Sequence, residues 1–274
     1  MYNEYFGFKE APFNLTPNPR FMFYGRKYRD AFSSFMYGIE HRKGFIQITG
    51  EIGAGKTTLC RVALELLKGK PVHSALILNP CLSELLLLRT IAEDFGIKIK
   101  AKNKKDCFDA MNQFLLAEFN KGYNCVLIID EAQDLDARAL EQIRLLSNLE
   151  THTDKLLQII LVGQPELRDM LNQQSLTQLR QRIHVRVHLT ALDRNETEEY
   201  IEHRLQVASL DGQPKHLFTA DALDLVYAQS QGIPRLINKM CDWALLAAYA
   251  KSFEIIDRKI MVDAIEEVEG VTLS

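Results

Sequence analysis

Between Phe45 and Lys68 three kinds of segment follow one another without a break. Apolar FIQIT is followed by the glycine-rich GEIGAGKTT of Gly50 to Thr58. From Thr57 to Lys68, Leu59, Val62, Ala63, Leu66 and Leu67 then recur at the i, i+3, i+4, i+7, i+8 spacing of an amphipathic helix. Strand, turn and helix in this order are the context that the phosphate-binding pattern G-x-x-x-x-G-K-[ST] requires. Gly50 and Gly55 let the backbone curl so that successive N–H groups point inward, and the positive end of the helix dipole adds to the pull on an anion. Gly50, Glu51, Ile52, Gly53, Ala54, Gly55, Lys56, Thr57 and Thr58 are therefore the candidate nucleotide contacts. Lys56 supplies a point charge for β- and γ-phosphates, and Thr57 a hydroxyl for Mg²⁺. A turn that merely reverses the chain needs neither the lysine nor these flanks.

About 75 residues further on, the apolar run Cys125 to Ile129 ends in Asp130 and Glu131. A buried parallel strand that releases two acids at its C-terminal end places them where open α/β sheets bind ligands. Asp130 suits Mg²⁺ held through water, and Glu131 suits a base for the water that attacks a γ-phosphate. Alone, an apolar run capped by acids is common; paired with the upstream loop it is specific. A further apolar strand, Leu156 to Val162, stops at Gly163-Gln164-Pro165. The Gln164 amide can hold the attacking water, or it belongs to an ordinary turn. Arg180 and Arg182 stand just before Val185, Val187 and Leu189, which alternate as in a strand with one buried face. They decorate the surface, or one of them, with Arg182 preferred because it abuts the strand, reaches the nucleotide of a neighbouring subunit.

Beyond Leu192 the strand patterns cease, and residues 195–208, 219–229, 234–250 and 257–268 read as helices, with Thr219 and Asp257 as caps and Pro234 in a first turn. This shift divides the chain into 1–44, 45–190 and 191–274. Arg235 lies in a first turn, where the helix dipole disfavours a cation, so a bound anion explains it better than helix stability does; a salt bridge is the alternative. Half of the aromatic residues fall within the first 37 positions, interleaved with Pro12, Pro17 and Pro19. That lead is too apolar for disorder and too proline-rich for a helix. It is expected to run extended across the main domain, near the purine of a bound nucleotide.

Net charge is −3, which does not suit a generally basic nucleic-acid coat. The lysine-rich KIKAKNKK of Lys98 to Lys105 is a solvated loop or a local contact for nucleic-acid phosphate. Five scattered cysteines, odd in number and without C-x-x-C spacing, argue against a disulfide framework or zinc site and fit a reducing cytoplasm. The start MYNEYFGFKE is no signal peptide, and Leu82 to Ile91, broken by Glu84 and Arg89, is too short to span a bilayer.

GEIGAGKT, VLIIDEAQ, LVGQPEL, LRQRI and GIPRLIN together resemble the signature segments of an AAA+ ATPase. The opening FGFKEAPFNLTPNPRFMF with YGIEHRKGFIQITGEIGAGKTT is similar to the general secretion pathway protein A (ExeA-like) family. The resemblance implies an α/β fold, a P-loop AAA+ core with a five-stranded parallel sheet between helices, followed by a small all-α lid domain. It also implies a Walker A at Gly50 to Thr57, a Walker B pair of Asp130 and Glu131, Gln164 as sensor 1, Arg182 as arginine finger and Arg235 as sensor 2. ATP and Mg²⁺ are the implied cofactors, and copies of the chain forming an ATP-dependent ring the implied partners. A secretion (type II, secretin assembly) or pilus apparatus is the expected setting. The expected location is cytoplasmic, with the inner face of the membrane as the variant if partners or a further C-terminal part hold it there. Longer members of the family continue into a transmembrane helix and a periplasmic domain, so a chain ending after the lid is a short member or an excised cytoplasmic domain. An ATP-dependent DNA-binding regulator of transposition is the alternative, and a nucleotide-locked scaffold a third reading. A superfamily 2 helicase is disfavoured because helices, not a second strand-rich motor domain, follow the core.

Overall fold

The computed structural model describes residues 2–16, 18–99 and 102–269. In chain order the helices are α1 (Tyr2–Phe6), α2 (Arg26–Glu40), α3 (Lys56–Leu67), α4 (Glu84–Asp94), α5 (Lys104–Asn120), α6 (Ala137–Leu146), α7 (Pro165–Leu171), α8 (Thr177–Arg180), α9 (Arg194–Ala208), α10 (Ala220–Ser230), α11 (Pro234–Ala250) and α12 (Arg258–Glu269). The strands are β1 (Phe45–Gly50), β2 (Val72–Ile77), β3 (Asn124–Ile129), β4 (Leu157–Gly163) and β5 (Ile183–Leu189). Two compact units result. A sheet unit holds Asp30–Gly50 and Leu59–Leu189; a helical unit holds Met1–Arg29, Glu51–Thr58 and Thr190–Ser274.

In the sheet unit the strand order is β2-β3-β4-β1-β5 with every neighbouring pair parallel. Parallel strands need crossovers that lay helices over the faces, so inner strands become apolar throughout. Every residue of β1, β3 and β4 is buried, whereas edge strand β5 alternates. Leu127, Ile159 and Leu161 share one apolar cluster with Leu88 of α4, Met111 of α5 and Ile143 of α6. α2 comes very near the sheet at Gly38, where an added Cβ would lie 2.6 Å from Ile46 Cδ1 and 3.3 Å from Val185 Cγ2. The connection from α2 into β1 is tied down by two buried amides: Asn124 Nδ2 donates to the Ile39 carbonyl (2.9 Å) and the Gly44 N–H to Gln158 Oε1 (2.6 Å).

The helical unit packs α9 to α12 around residues such as Leu205, Val226, Met240 and Ile265. Asp193 and Glu196 form a reciprocal capping box at the start of α9, Pro234 opens α11, and the Asp257 carboxylate accepts the Ile260 N–H (2.9 Å).

Against expectation, the aromatic lead belongs to this helical unit. Phe6, Phe8, Phe13 and Phe21 are each below 9% exposed and complete its apolar cluster. The physical reason is Arg204 of α9, itself buried, whose Nε donates to the Pro12 carbonyl (2.6 Å) and Nη2 to that of Asn14 (3.2 Å), with its guanidinium carbon 4.9 Å from the centre of the Phe21 ring. Backbone bonds from Lys9 to Ala208 (2.9 Å) and from Leu210 to Gly7 (3.0 Å) flank a bridge between Phe8 and Ser209. The first expected segment, 1–44, is therefore split between the units inside α2. The lead also begins with a helical turn, α1, which precedes its first proline. Pro17 lies outside the described residues.

Candidate functional site

Two neighbouring strand ends of the sheet unit, those of β3 and β4, carry candidate chemistry. β3 delivers Asp130, which is 4% exposed; its N–H donates to the Ile77 carbonyl (2.8 Å), and its Oδ1 accepts the Glu131 N–H (3.0 Å). Glu131 adopts left-handed backbone, φ 51° and ψ 39°, as the chain turns off the strand. Its Oε2 accepts from Gln133 Nε2 at 2.8 Å and from Gln164 Nε2 at 3.5 Å. Gln164 follows β4, and its own N–H donates to Gln133 Oε1 (3.0 Å). The structure thus brings Glu131 and Gln164 together, and it adds a residue that sequence reading missed. Gln133 was visible as the last letter of the DEAQ string, but nothing in its spacing says that its amide bridges two strands. Cys60 is no candidate nucleophile: burial first, and the Asp130 charge second, push its thiol far up.

The glycine-rich loop lies in the helical unit. Gly53 and Gly55 have φ of +83° and +96°, the left-handed region that an L side chain resists. Gly50 is needed for another reason, because an added Cβ would meet the Leu189 carbonyl oxygen at 2.7 Å at the end of β1. The curl expected of Gly50 and Gly55 is therefore made by Gly53 and Gly55. Glu51 and Ile52 are exposed and Ala54 is buried, while Thr57 and Thr58 in the first turn of α3 are half-buried. Lys56 is 7% exposed and its Nζ donates to the Glu51 carbonyl (3.0 Å), which folds the side chain back over the loop.

Arg235 stands beside this loop. Its N–H donates to the Gly53 carbonyl (3.3 Å), and a Cβ on Gly53 would come within 2.5 Å of Arg235 Cβ and 3.3 Å of Ile233 Cγ2. The side chain is exposed and, among the described residues, makes no ion pair that would explain a cation at a helix start.

Arg182 is not part of either group. It precedes β5, whose first residue pairs with Phe45 at the start of β1, so it sits at the opposite edge of the sheet from Gly163 and Asp130. Its Nη1 donates to Ser147 Oγ (2.9 Å). Arg180 instead reaches the Asn172 carbonyl (3.4 Å). Lys100 and Ala101 of the lysine-rich stretch lie outside the described residues. Of the remainder, Lys104 and Lys105 belong to α5, and Lys104 is paired with Glu84 at 2.7 Å.

For a cation, the Thr57 hydroxyl and Asp130 carboxylate are hard oxygen donors of the kind Mg²⁺ takes. Among the described residues no group of three or more His, Cys, Asp or Glu side chains forms a metal cage.

The AAA domain family matches residues 39–171. General secretion pathway protein A of Aeromonas hydrophila is 43% identical over 273 residues, which cover 99% of this chain and 49% of that protein. The chain thus spans about half the length of that relative. Among solved structures, the Aeropyrum pernix ORC2 protein in its ADPNP-ADP complexes superposes with a TM-score of 0.71 at 19% identity, over 97% of this chain and 74% of that one. Cdc6p from Pyrobaculum aerophilum gives 0.68 at 16% identity, over 97% and 71%. These two bear on the fold, which they share. The similarity to the Aeromonas protein is more specific, since it takes in the aromatic lead that lies ahead of the AAA match. The chain thus carries an AAA domain in a parallel α/β fold and is similar, lead included and over nearly its whole length, to general secretion pathway protein A.

Proposed function

We propose that this chain hydrolyses ATP to ADP and phosphate in a Mg²⁺-dependent reaction and works as an oligomeric motor or switch in assembling a secretion or pilus apparatus. One observation carries the chemistry. β1, from which the glycine-rich loop springs, is separated from β3, which ends in Asp130 and Glu131, by β4 alone, and β4 ends next to Gln164. That order supports the reading, because the C-terminal ends of β1, β3 and β4 are neighbours within the sheet and ligands of parallel α/β sheets bind at such ends.

The roles follow from the donor types. Amides from Glu51 to Thr58 and the Lys56 ammonium hold the phosphates, and Thr57 and Asp130 hold the metal. Mg²⁺, when bound, draws negative charge off the β- and γ-phosphate oxygens. Glu131 takes a proton from the attacking water at its carboxylate, and the Gln164 amide orients that water. Arg235 offers its guanidinium to the nucleotide beside Gly53. Arg182 faces away from its own subunit's strand ends and serves a neighbouring copy, which makes the oligomer part of the chemistry. The secretion setting rests on the name of the Aeromonas relative, and placement at the cytoplasmic face of a membrane follows from that setting. Among the described residues no helix is long and apolar enough to cross a bilayer. The DNA-binding reading gains nothing from Lys104, whose charge is already met by Glu84.

The test is Glu131→Gln. ATP-analogue affinity should be retained while steady-state turnover falls about a hundredfold or more; wild-type turnover in that variant would remove Glu131 from its role and the proposal with it.

A further inference from the structure

Gln133 is the polar side chain at the strand ends for which no role has been given. It lies on the short 3₁₀ turn Ala132–Asp134 directly after β3, and its amide serves both that turn, where Nε2 also comes within 3.5 Å of Asp134 Oδ1, and the next strand. The Nε2 end donates to Glu131 Oε2 (2.8 Å) and the Oε1 end accepts the Gln164 N–H (3.0 Å). A primary amide presents a donor and an acceptor about 2 Å apart, so a single glutamine can satisfy a carboxylate on one strand and a backbone N–H on the next. The fit is close. A Cβ on Gly163 would fall 2.6 Å from Gln133 Oε1, so β4 carries no side chain at the point where the amide crosses it. Glu131, in left-handed backbone, is turned off the axis of β3, and the donor that meets its Oε2 at ordinary hydrogen-bond length is Gln133; Gln164 Nε2 reaches the same oxygen at the outer limit of 3.5 Å.

We propose that Gln133 is a positioning residue for the reaction, holding the Glu131 carboxylate in a place set by the end of β4. A displacement of Gln164, such as contact with a terminal phosphate would produce, moves the Gln133 acceptor and through its donor the base. The base is then registered to the strand that senses the nucleotide, not to β3 alone. A charge-assisted bond of this kind both orients a carboxylate and restricts its rotamers. This inference rests on the proposed role of Glu131, and the experiment separates the two.

Gln133→Ala and Gln133→Glu are compared with wild type and with Glu131→Gln by steady-state hydrolysis, ATP-analogue affinity and thermal melting. Gln133→Glu keeps the acceptor for Gln164 but sets a carboxylate against Glu131, so it distinguishes loss of the donor from loss of the bridge. The expected result is a fall in kcat of about ten- to a hundredfold in both variants, with analogue affinity and melting temperature at wild-type values. In the Glu131→Gln background, Gln133→Ala should lower the residual rate no further, because the two act as a unit. If Gln133→Ala leaves kcat unchanged, or lowers it equally in both backgrounds, the positioning role is wrong while the role of Glu131 stands. If Glu131→Gln itself turns over normally, the underlying reading fails first.

Discussion

Gly53 joins two constraints in one residue. Its φ of +83° disfavours any side chain, and the space where a Cβ would go is filled by Arg235 and Ile233. Gly55 has the first constraint without the second: φ is +96°, but nothing lies within 4 Å of its added Cβ. Gly55→Ala should therefore cost only backbone strain, about 1–2 kcal/mol, whereas Gly53→Ala adds a backbone shift against α11 and should cost about 1–3 kcal/mol more. Melting temperatures of the two variants check the order; equal losses would mean that the contact with Arg235 is not held in solution. At this scale the sequence was legible where chemistry is carried by residue type. Lys56, Thr57, Asp130 and Glu131 announce themselves by charge or hydroxyl at a strand end or helix start. Gln133 does not, because an amide has no charge to betray it and its partners come from another strand. In the sequence Gly50 and Gly55 read as one kind of glycine, and the difference between a close approach and a positive φ appears only once neighbours are placed.

Among the elements, α9 does the most to fix residues distant in sequence, through Arg204. The guanidinium also donates to the Tyr200 hydroxyl (2.8 Å), which in turn donates to Asn238 of α11 (2.9 Å), so one buried cation links the lead to two helices. Arg204→Met keeps the stem and removes the donors, leaving the Pro12 carbonyl without this partner; a loss of about 2–4 kcal/mol is expected. The urea midpoint should fall accordingly, and an unchanged midpoint would show that the lead is held by its phenylalanines alone. Such an element could not be recognised from periodicity. An arginine on an amphipathic helix reads as a solvent-facing residue, since its partners are carbonyls about 190 positions away. β3 and β4 were legible for the opposite reason, because burial on both faces leaves an unbroken apolar run. α7 is not legible because Gly163-Gln164-Pro165 reads as a stop, although proline at a first helical position starts a helix as readily as it ends a strand.

For the molecule as a whole, the parallel sheet decides which residues one copy can use itself. Arg182 enters β5 at one edge and Asp130 leaves β3 at the other, separated by a strand of about 20 Å at 3.3 Å per residue. Arg182→Ala should therefore keep ATP-analogue binding and lose turnover about a thousandfold. Mixing it with Glu131→Gln should restore activity, because the second protein lends its arginine to the intact base of the first. No gain on mixing would place the finger elsewhere, with Arg180 next in line. The same chain order shapes how the protein is made. Residues 30–50 and 59–189 can close on themselves soon after they leave the ribosome, but Phe6, Phe8, Phe13 and Phe21 must wait for Arg204 and Ser209. During synthesis the earliest aromatic side chains stay uncovered the longest, a window in which a chaperone or a slow codon run would change the yield without touching the finished fold.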